Sequence, residues 1–138
     1  MMNTKVYKQV HGYATDLLTA AEKEDIPAFT KLYDALKALC YEHEEGEKNH
    51  PVQWETLADF TEETEDAIAF YSKAFGCAED LGDKEFLASI SYSWAFLLND
   101  DGQVEAAKDM ATQAKEYSEN STDSRLKEDI EALLNAMI

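Results

Sequence analysis

Apolar residues recur along most of this chain at steps of three and four positions. Near the start, Val6, Val10, Tyr13, Leu17 and Ala21 follow this spacing, which places them on one face of an α-helix. Similar runs follow between polar, glycine-containing or proline-containing breaks, and no window shows the sustained alternation of a β-strand. The pattern therefore predicts an all-α protein of about seven helices.

Capping and breaking residues indicate where these helices begin and end. Asp25 and Asp83 are typical N-caps, and Thr64 is predicted to cap the fourth helix. Gly82 is typical of the position that follows a helix, and the composition of residues 99–102 predicts a turn. Because the connections are short, successive helices are expected to lie antiparallel.

Three of the predicted helices share one spacing of small residues. Each has Ala at both ends of a two-turn stretch, at residues 28–35, 67–74 and 107–114, so the stretches recur at intervals of about 40 residues. Ala at both ends lets a neighbouring helix approach closely. A pattern that returns at a nearly fixed interval is typical of stacked helical repeats.

The segments around the second and third copies resemble the tetratricopeptide repeat (TPR) family. Residues 54–58, Trp-x2-Leu-Ala, resemble the family's first-helix signature, and residues 66–75 resemble its second helix. Residues 102–107, Gly-Gln-Val-x2-Ala, resemble the turn into a second helix. The interval between copies is longer than the family's usual length of about 34 residues. The resemblance implies antiparallel helical hairpins stacked as a short right-handed solenoid.

The same resemblance divides the chain into repeats. A single domain of residues 1–138 would contain units at about residues 4–45, 50–82 and 84–119. The seventh helix, about residues 124–136, would close the stack as a capping helix.

By the resemblance, the first helices of each pair line an inner, concave surface. The positions expected there to bind a partner are Ser89, Tyr92, Phe96, Asn99, Glu55, Asp59 and Glu62. They suggest an acidic groove with an aromatic floor, suited to a basic or amphipathic segment of another protein. The alternative is that Tyr92 and Phe96 pack against the seventh helix as part of the core.

Composition restricts the classes of partner. A length of 138 residues fits one domain, and only 5 Gly and 2 Pro favour helices over strands. The net charge of −17 disfavours nucleic acids and anionic membranes, because binding phosphate needs Lys and Arg. The charge is interpreted as a solvated acidic surface. The alternative is an acidic inhibitor, immunity protein or DNA mimic that binds a basic partner.

Candidate metal ligands and nucleophiles are sparse. Cys40, His43 and His50 offer three zinc ligand types near the predicted end of the second helix at Glu45, without a fourth ligand nearby. A buried thiol beside two exposed histidines is the preferred interpretation, so no metal or other cofactor is expected. The acidic run and the loop at residues 99–105 lack a calcium-loop pattern, and no nucleophile or phosphate-binding motif is present.

These observations predict a non-catalytic interaction module, such as an adaptor, a small chaperone or an accessory subunit. A metal-dependent enzyme is the less favoured alternative. Residues 1–9 lack the apolar core of a signal peptide, and no stretch approaches the roughly 20 apolar residues of a membrane span. Two cysteines, Cys40 and Cys77, form no disulfide framework. A cytoplasmic location with reduced thiols is expected.

Overall fold

The computed structural model describes residues 4–137 and the side chains of residues 5–137. Of residues 1–9, which were examined for a signal peptide, residues 1–3 lie outside the described part. It confirms the predicted all-α class, since residues 4–137 contain seven helices and no strand. The helices are α1 (Thr4–Glu22), α2 (Ile26–Glu42), α3 (Pro51–Asp59), α4 (Thr64–Leu81), α5 (Lys84–Asp100), α6 (Val104–Tyr117) and α7 (Ser124–Ala136). Each of them is too short or too polar to cross a bilayer.

Local side-chain chemistry explains several helix starts. The carboxylates of Asp25, Asp83 and Asp123 each accept a hydrogen bond from the backbone N–H three residues later, at 3.0 to 3.2 Å. They therefore satisfy donors that the first turn of a helix leaves without a partner. Pro27, in the first turn of α2, loses no helical hydrogen bond by lacking an N–H.

Three predicted boundaries differ from the structure. Thr64 is the first residue of α4 and not its cap, and Asn99 belongs to the last turn of α5. The second helix ends at Glu42, before the predicted end at Glu45. The acidic residues that follow Glu42 would place negative charge at the negative end of the helix dipole, which disfavours extending the helix.

The same C-terminal turn follows α1, α4 and α5. After α1, the Asp25 N–H donates to the Ala20 carbonyl at 2.9 Å, and matching bonds close α4 and α5. This turn requires a left-handed residue just past the helix. Gly82 and Gly102 supply it at φ 65° and 84°, whereas Glu24 supplies it at φ 54°. A non-glycine residue in this conformation costs about 1 kcal/mol of stability.

The helices form two compact units, residues 1–70 and 71–138, and α4 contributes to both. In the N-terminal unit, α1 packs on α2 and α3, and α2 packs on α3. Trp54 is buried at its centre, with ring centroids 5.2 Å from Tyr41 and 6.0 Å from Phe70. Its indole N–H donates to the Asn49 Oδ1 at 2.8 Å, which ties the loop before α3 to the core.

In the C-terminal unit, α5 packs closely on α6, and α7 contacts both. Phe75 of α4 contacts the rings of Trp94 and Tyr117 at 6.3 and 6.2 Å. The core residues of α5, α6 and α7 include Ile90, Ala95, Leu98, Ala107, Ala111, Ala114, Ile130 and Leu133. The contact between α5 and α6 thus consists largely of small side chains on the α6 side.

The Ala spacing has different outcomes in its three copies. The end residues of the second copy, Ala67 and Ala74, are buried, and so are the three alanines of the third copy, Ala107, Ala111 and Ala114. In the first copy, Ala28 and Ala35 are only half-buried. The buried residues of α2 are instead Leu36, Leu39 and Cys40. The alanines are therefore buried in the second and third copies, as close helix packing requires, but not in the first copy.

Candidate functional site

The structure places four of the predicted binding residues on one face of α5. Ser89, Tyr92 and Asn99 are half-buried, and Phe96 is 54% exposed. The rings of Tyr92 and Phe96 lie 6.3 Å apart between centroids. The remaining faces of α5 are buried through Leu87, Ala88, Ile90, Ser91, Ala95 and Leu98. This helix therefore presents one aromatic strip, Tyr92 and Phe96, on a partly exposed face.

Tyr92 and Phe96 lie in different environments. Burial raises the pKa of the Tyr92 phenol, and the charge of Asp129 on α7 raises it further. An electrostatic effect of this kind requires Asp129 to lie near the phenol. The Tyr92 phenol is therefore influenced by a charge on α7, while more than half of the Phe96 side chain is exposed to solvent.

The other predicted binding residues belong to the N-terminal unit. Glu55 is half-buried on α3, and Asp59 is exposed at the end of the same helix. Glu62 is exposed in the connection between α3 and α4. The structure thus brings the α5 residues together on one face, and it places these three carboxylates along a separate stretch of chain.

The three candidate metal ligands have structural roles in the N-terminal unit. The Cys40 thiol is buried and donates to the Gln53 carbonyl at 3.3 Å. His50 is buried, and its Nδ1 accepts the Val52 N–H at 3.1 Å as the N-cap of α3. The expectation of two exposed histidines was wrong, because this cap buries His50 and the end of α2 half-buries His43. Among the described residues, no three His, Cys, Asp or Glu side chains are grouped to hold a metal.

The environment of Cys40 predicts selective thiol chemistry. Burial raises the pKa of Cys40 to about 12, so its reactive thiolate is scarce at neutral pH. Cys77 is only half-buried. Iodoacetamide at pH 8 should label the native protein at Cys77 and reach Cys40 only after denaturation, as read by mass spectrometry of digested samples. Cys40→Ala should take up one label whether native or denatured, and rapid native labelling of Cys40 would contradict its burial.

A cleft that the sequence did not reveal lies at the turn between α1 and α2. Its volume is about 670 Å³. The residues that line it are Ala20, Ala21, Glu24, Asp25, Ile26, Phe29, Thr30, Tyr33, Phe60 and Glu62. Ile26 is 74% exposed, unusually so for a large apolar side chain. The pair Phe29 and Tyr33 at helical spacing, next to an acidic turn, is the sequence signal that could have suggested this site.

Three aromatic rings form the apolar wall of the cleft. Phe29 stacks on Tyr33 with centroids 6.5 Å apart, and it meets Phe60 edge-on at 6.3 Å. The Tyr33 hydroxyl lies 2.8 Å from the Thr61 Oγ1, which is itself 2.7 Å from the Leu57 carbonyl. Since the single Thr61 proton goes to that carbonyl, Tyr33 must donate to Thr61. The Tyr33 oxygen therefore keeps only acceptor capacity for other groups.

A smaller cleft of about 430 Å³ lies between α6 and α7. Its rim includes Lys115, which pairs with Glu131 at 2.8 Å, and Lys127, which donates to the Glu119 carbonyl at 3.2 Å. Both ammonium groups already interact with the protein, and carboxylates lie beside them. This cleft therefore offers no single kind of charge to a ligand.

Comparison of the chain with protein-family models, with curated proteins and with solved structures finds no match.

Proposed function

We propose that this protein is a non-catalytic interaction module that binds a peptide or helix of another protein. The observation that carries the proposal is the partly exposed aromatic strip of α5, in which the exposed Phe96 ring adjoins Tyr92 between Ser89 and Asn99. Aromatic side chains at an exposed helix face provide large contact area at low entropic cost, and they dominate many protein interfaces.

The proposal includes a TPR-like arrangement of antiparallel hairpins stacked as a solenoid. Two observations support it. Within the units, α1 packs on α2, α2 on α3, α5 on α6 and α6 on α7, and α1 contacts α3 as α5 contacts α7. The turns of three residues between α1 and α2 and between α5 and α6 also favour hairpins. In this arrangement α5 is a first helix whose open face lines the inner surface.

The proposed partner is a basic or amphipathic segment. Exposed carboxylates occur on every helix, at Asp16, Asp34, Asp59, Glu65, Asp100, Asp109 and Glu128 among others. With a net charge of −17, these groups attract a basic partner and repel nucleic acids and anionic membranes. Because the carboxylates are shared among all the helices, charge alone does not support a second proposal of DNA mimicry. Cys40 and Cys77 form no disulfide, which suits the proposed cytoplasmic location.

Phe96→Ala should abolish capture of the partner while leaving the fold intact. Tagged wild-type protein and the variant would be used to capture proteins from a lysate of the source organism, with washes at low and high salt and identification by mass spectrometry. A partner held by aromatic contact should survive high salt, whereas one held by charge alone should be lost. The exposure of Phe96 predicts a small change in thermal stability.

Leu81→Ala is the matched control, because Leu81 is 52% exposed and lies at the end of α4. Proteins retained by the wild type and by Leu81→Ala, but lost from Phe96→Ala, would support the α5 surface. Equal retention by both variants would exclude it. A strong loss of thermal stability in Phe96→Ala would assign Phe96 to the core.

A further inference from the structure

We propose that the cleft between α1 and α2 binds a cationic side chain, arginine or lysine, from an amphipathic segment of a partner protein. This inference goes beyond the α5 surface, since it names a second site with its own residues and chemistry. The volume of about 670 Å³ is in the range of pockets that enclose a small ligand or several side chains.

The polar side chains of the cleft favour a donor with positive charge. Glu24, Asp25 and Glu62 are carboxylates, and the Tyr33 hydroxyl donates its one hydrogen bond to Thr61. No Lys, Arg or His is among the described residues that line the cleft. Carboxylate and phenol oxygens accept hydrogen bonds from an ammonium or guanidinium group, so the cleft complements a cation and repels an anion.

The two helix ends at this turn carry opposite partial charges. The last turn of α1 reaches the cleft through Ala20 and Ala21, and the C-terminal end of a helix carries partial negative charge. The partial positive charge at the start of α2 is largely neutralised by Asp25, whose Oδ1 accepts the Ala28 N–H at 3.1 Å. The backbone charges at this turn therefore largely offset one another, and the remaining carboxylates, Glu24 and Glu62, set the preference for a cation.

The apolar wall explains why the ligand should be amphipathic. Phe29 and Phe60 present aromatic surface, which attracts a cation that lies over a ring face. Ile26, which lines the cleft, leaves most of its side chain in water. An apolar residue next to the bound cation would cover Ile26, and such a pair of residues is typical of an amphipathic segment.

The backbone conformation of Glu24 indicates that its carboxylate serves binding rather than folding. The equivalent turns after α4 and α5 use Gly82 and Gly102, which adopt a positive φ without strain. At the same position, Glu24 holds a strained φ of 54° and places a carboxylate on the cleft. Glycine would remove the strain at this position, but it would also remove the carboxylate from the cleft. The strained glutamate is therefore explained by a function of its carboxylate.

The test compares two peptides of nearly the same shape, one with charged side chains and one with neutral ones. The ¹⁵N-labelled protein would be titrated with acetyl-Leu-Arg-Ala-Leu-Arg-amide and with the same peptide carrying neutral citrulline in place of arginine. The arginine peptide should shift the amide signals of residues 20–33 and 60–62. We expect the citrulline peptide to bind at least about threefold more weakly, the effect of losing one partly exposed ion pair. Equal binding, or no shift of these signals at millimolar peptide, would overturn the proposal.

Variants of Glu24 separate binding from stability. Glu24→Gly should weaken binding of the arginine peptide by about threefold and raise the melting temperature, because it removes the charge and the strain together. Glu24→Gln should weaken binding equally without the gain in melting temperature. Glu22→Gln is the matched control: Glu22 is exposed at the end of α1, does not line the cleft, and should leave binding unchanged. Unaltered peptide binding in both Glu24 variants would refute the role of this carboxylate.

Discussion

Trp54→Ala should lower the free energy of unfolding by about 3–5 kcal/mol, the largest effect that we expect from a single substitution. Trp54 is 1% exposed, and its ring contacts Tyr41 and Phe70. Truncation to alanine would open a cavity between α2, α3 and α4 and would leave the Asn49 side chain without its indole partner. Urea unfolding followed by circular dichroism would measure the loss.

Trp54→Phe is the companion variant if the alanine protein does not fold. It keeps an aromatic ring against Tyr41 and Phe70 but removes the N–H that donates to Asn49. We expect an intermediate loss of about 1–3 kcal/mol, from the unsatisfied Asn49 and the smaller ring. Wild-type stability in Trp54→Ala would show that this indole is not the centre of the N-terminal unit.

Ala111→Leu should destabilise the protein by about 1–3 kcal/mol, through overpacking. Ala111 is fully buried on α6, between Ala107 and Ala114, where α6 packs on α5. Extra carbon atoms at this position must push the two helices apart or adopt a strained rotamer. The same unfolding measurement applies, because either response lowers the free energy of unfolding.

Ala106→Leu is the matched control for this second prediction. Ala106 is exposed on the same helix, so the identical change should alter stability by no more than about 0.5 kcal/mol. If the two variants were equally stable, the close packing inferred from the Ala spacing would not hold for α6.

Local chemistry made most helix boundaries predictable. A carboxylate that reaches its own backbone three residues later, as at Asp25 and Asp83, acts over one turn and needs no tertiary structure. Gly82 likewise ends α4 through a conformation that glycine adopts easily. The errors arose where composition was ambiguous, as at Asn99, which suits a turn but lies in the last turn of α5.

The candidate sites were predictable only in part. The face of α5 follows from helical spacing, so Tyr92 and Phe96 could be paired from sequence. Which of the two is more exposed is set by packing around α5, and the Tyr92 phenol is also influenced by Asp129 of α7, a residue distant in sequence. The partner class and the TPR-like stacking stay predictions.

By itself, the sequence determined the helical class, the approximate helix positions and the acidic character of this protein. These properties follow from the spacing and type of residues that are neighbours along the chain. Tertiary structure alone decided the burial of His50, the direction of the Tyr33 hydrogen bond and the cleft in which Phe29 meets Phe60. The physical reason is that each of these three features depends on contacts between helices and loops that are distant in sequence. The periodicity of one helix shows which of its faces is apolar, but it does not show which residues pack against that face.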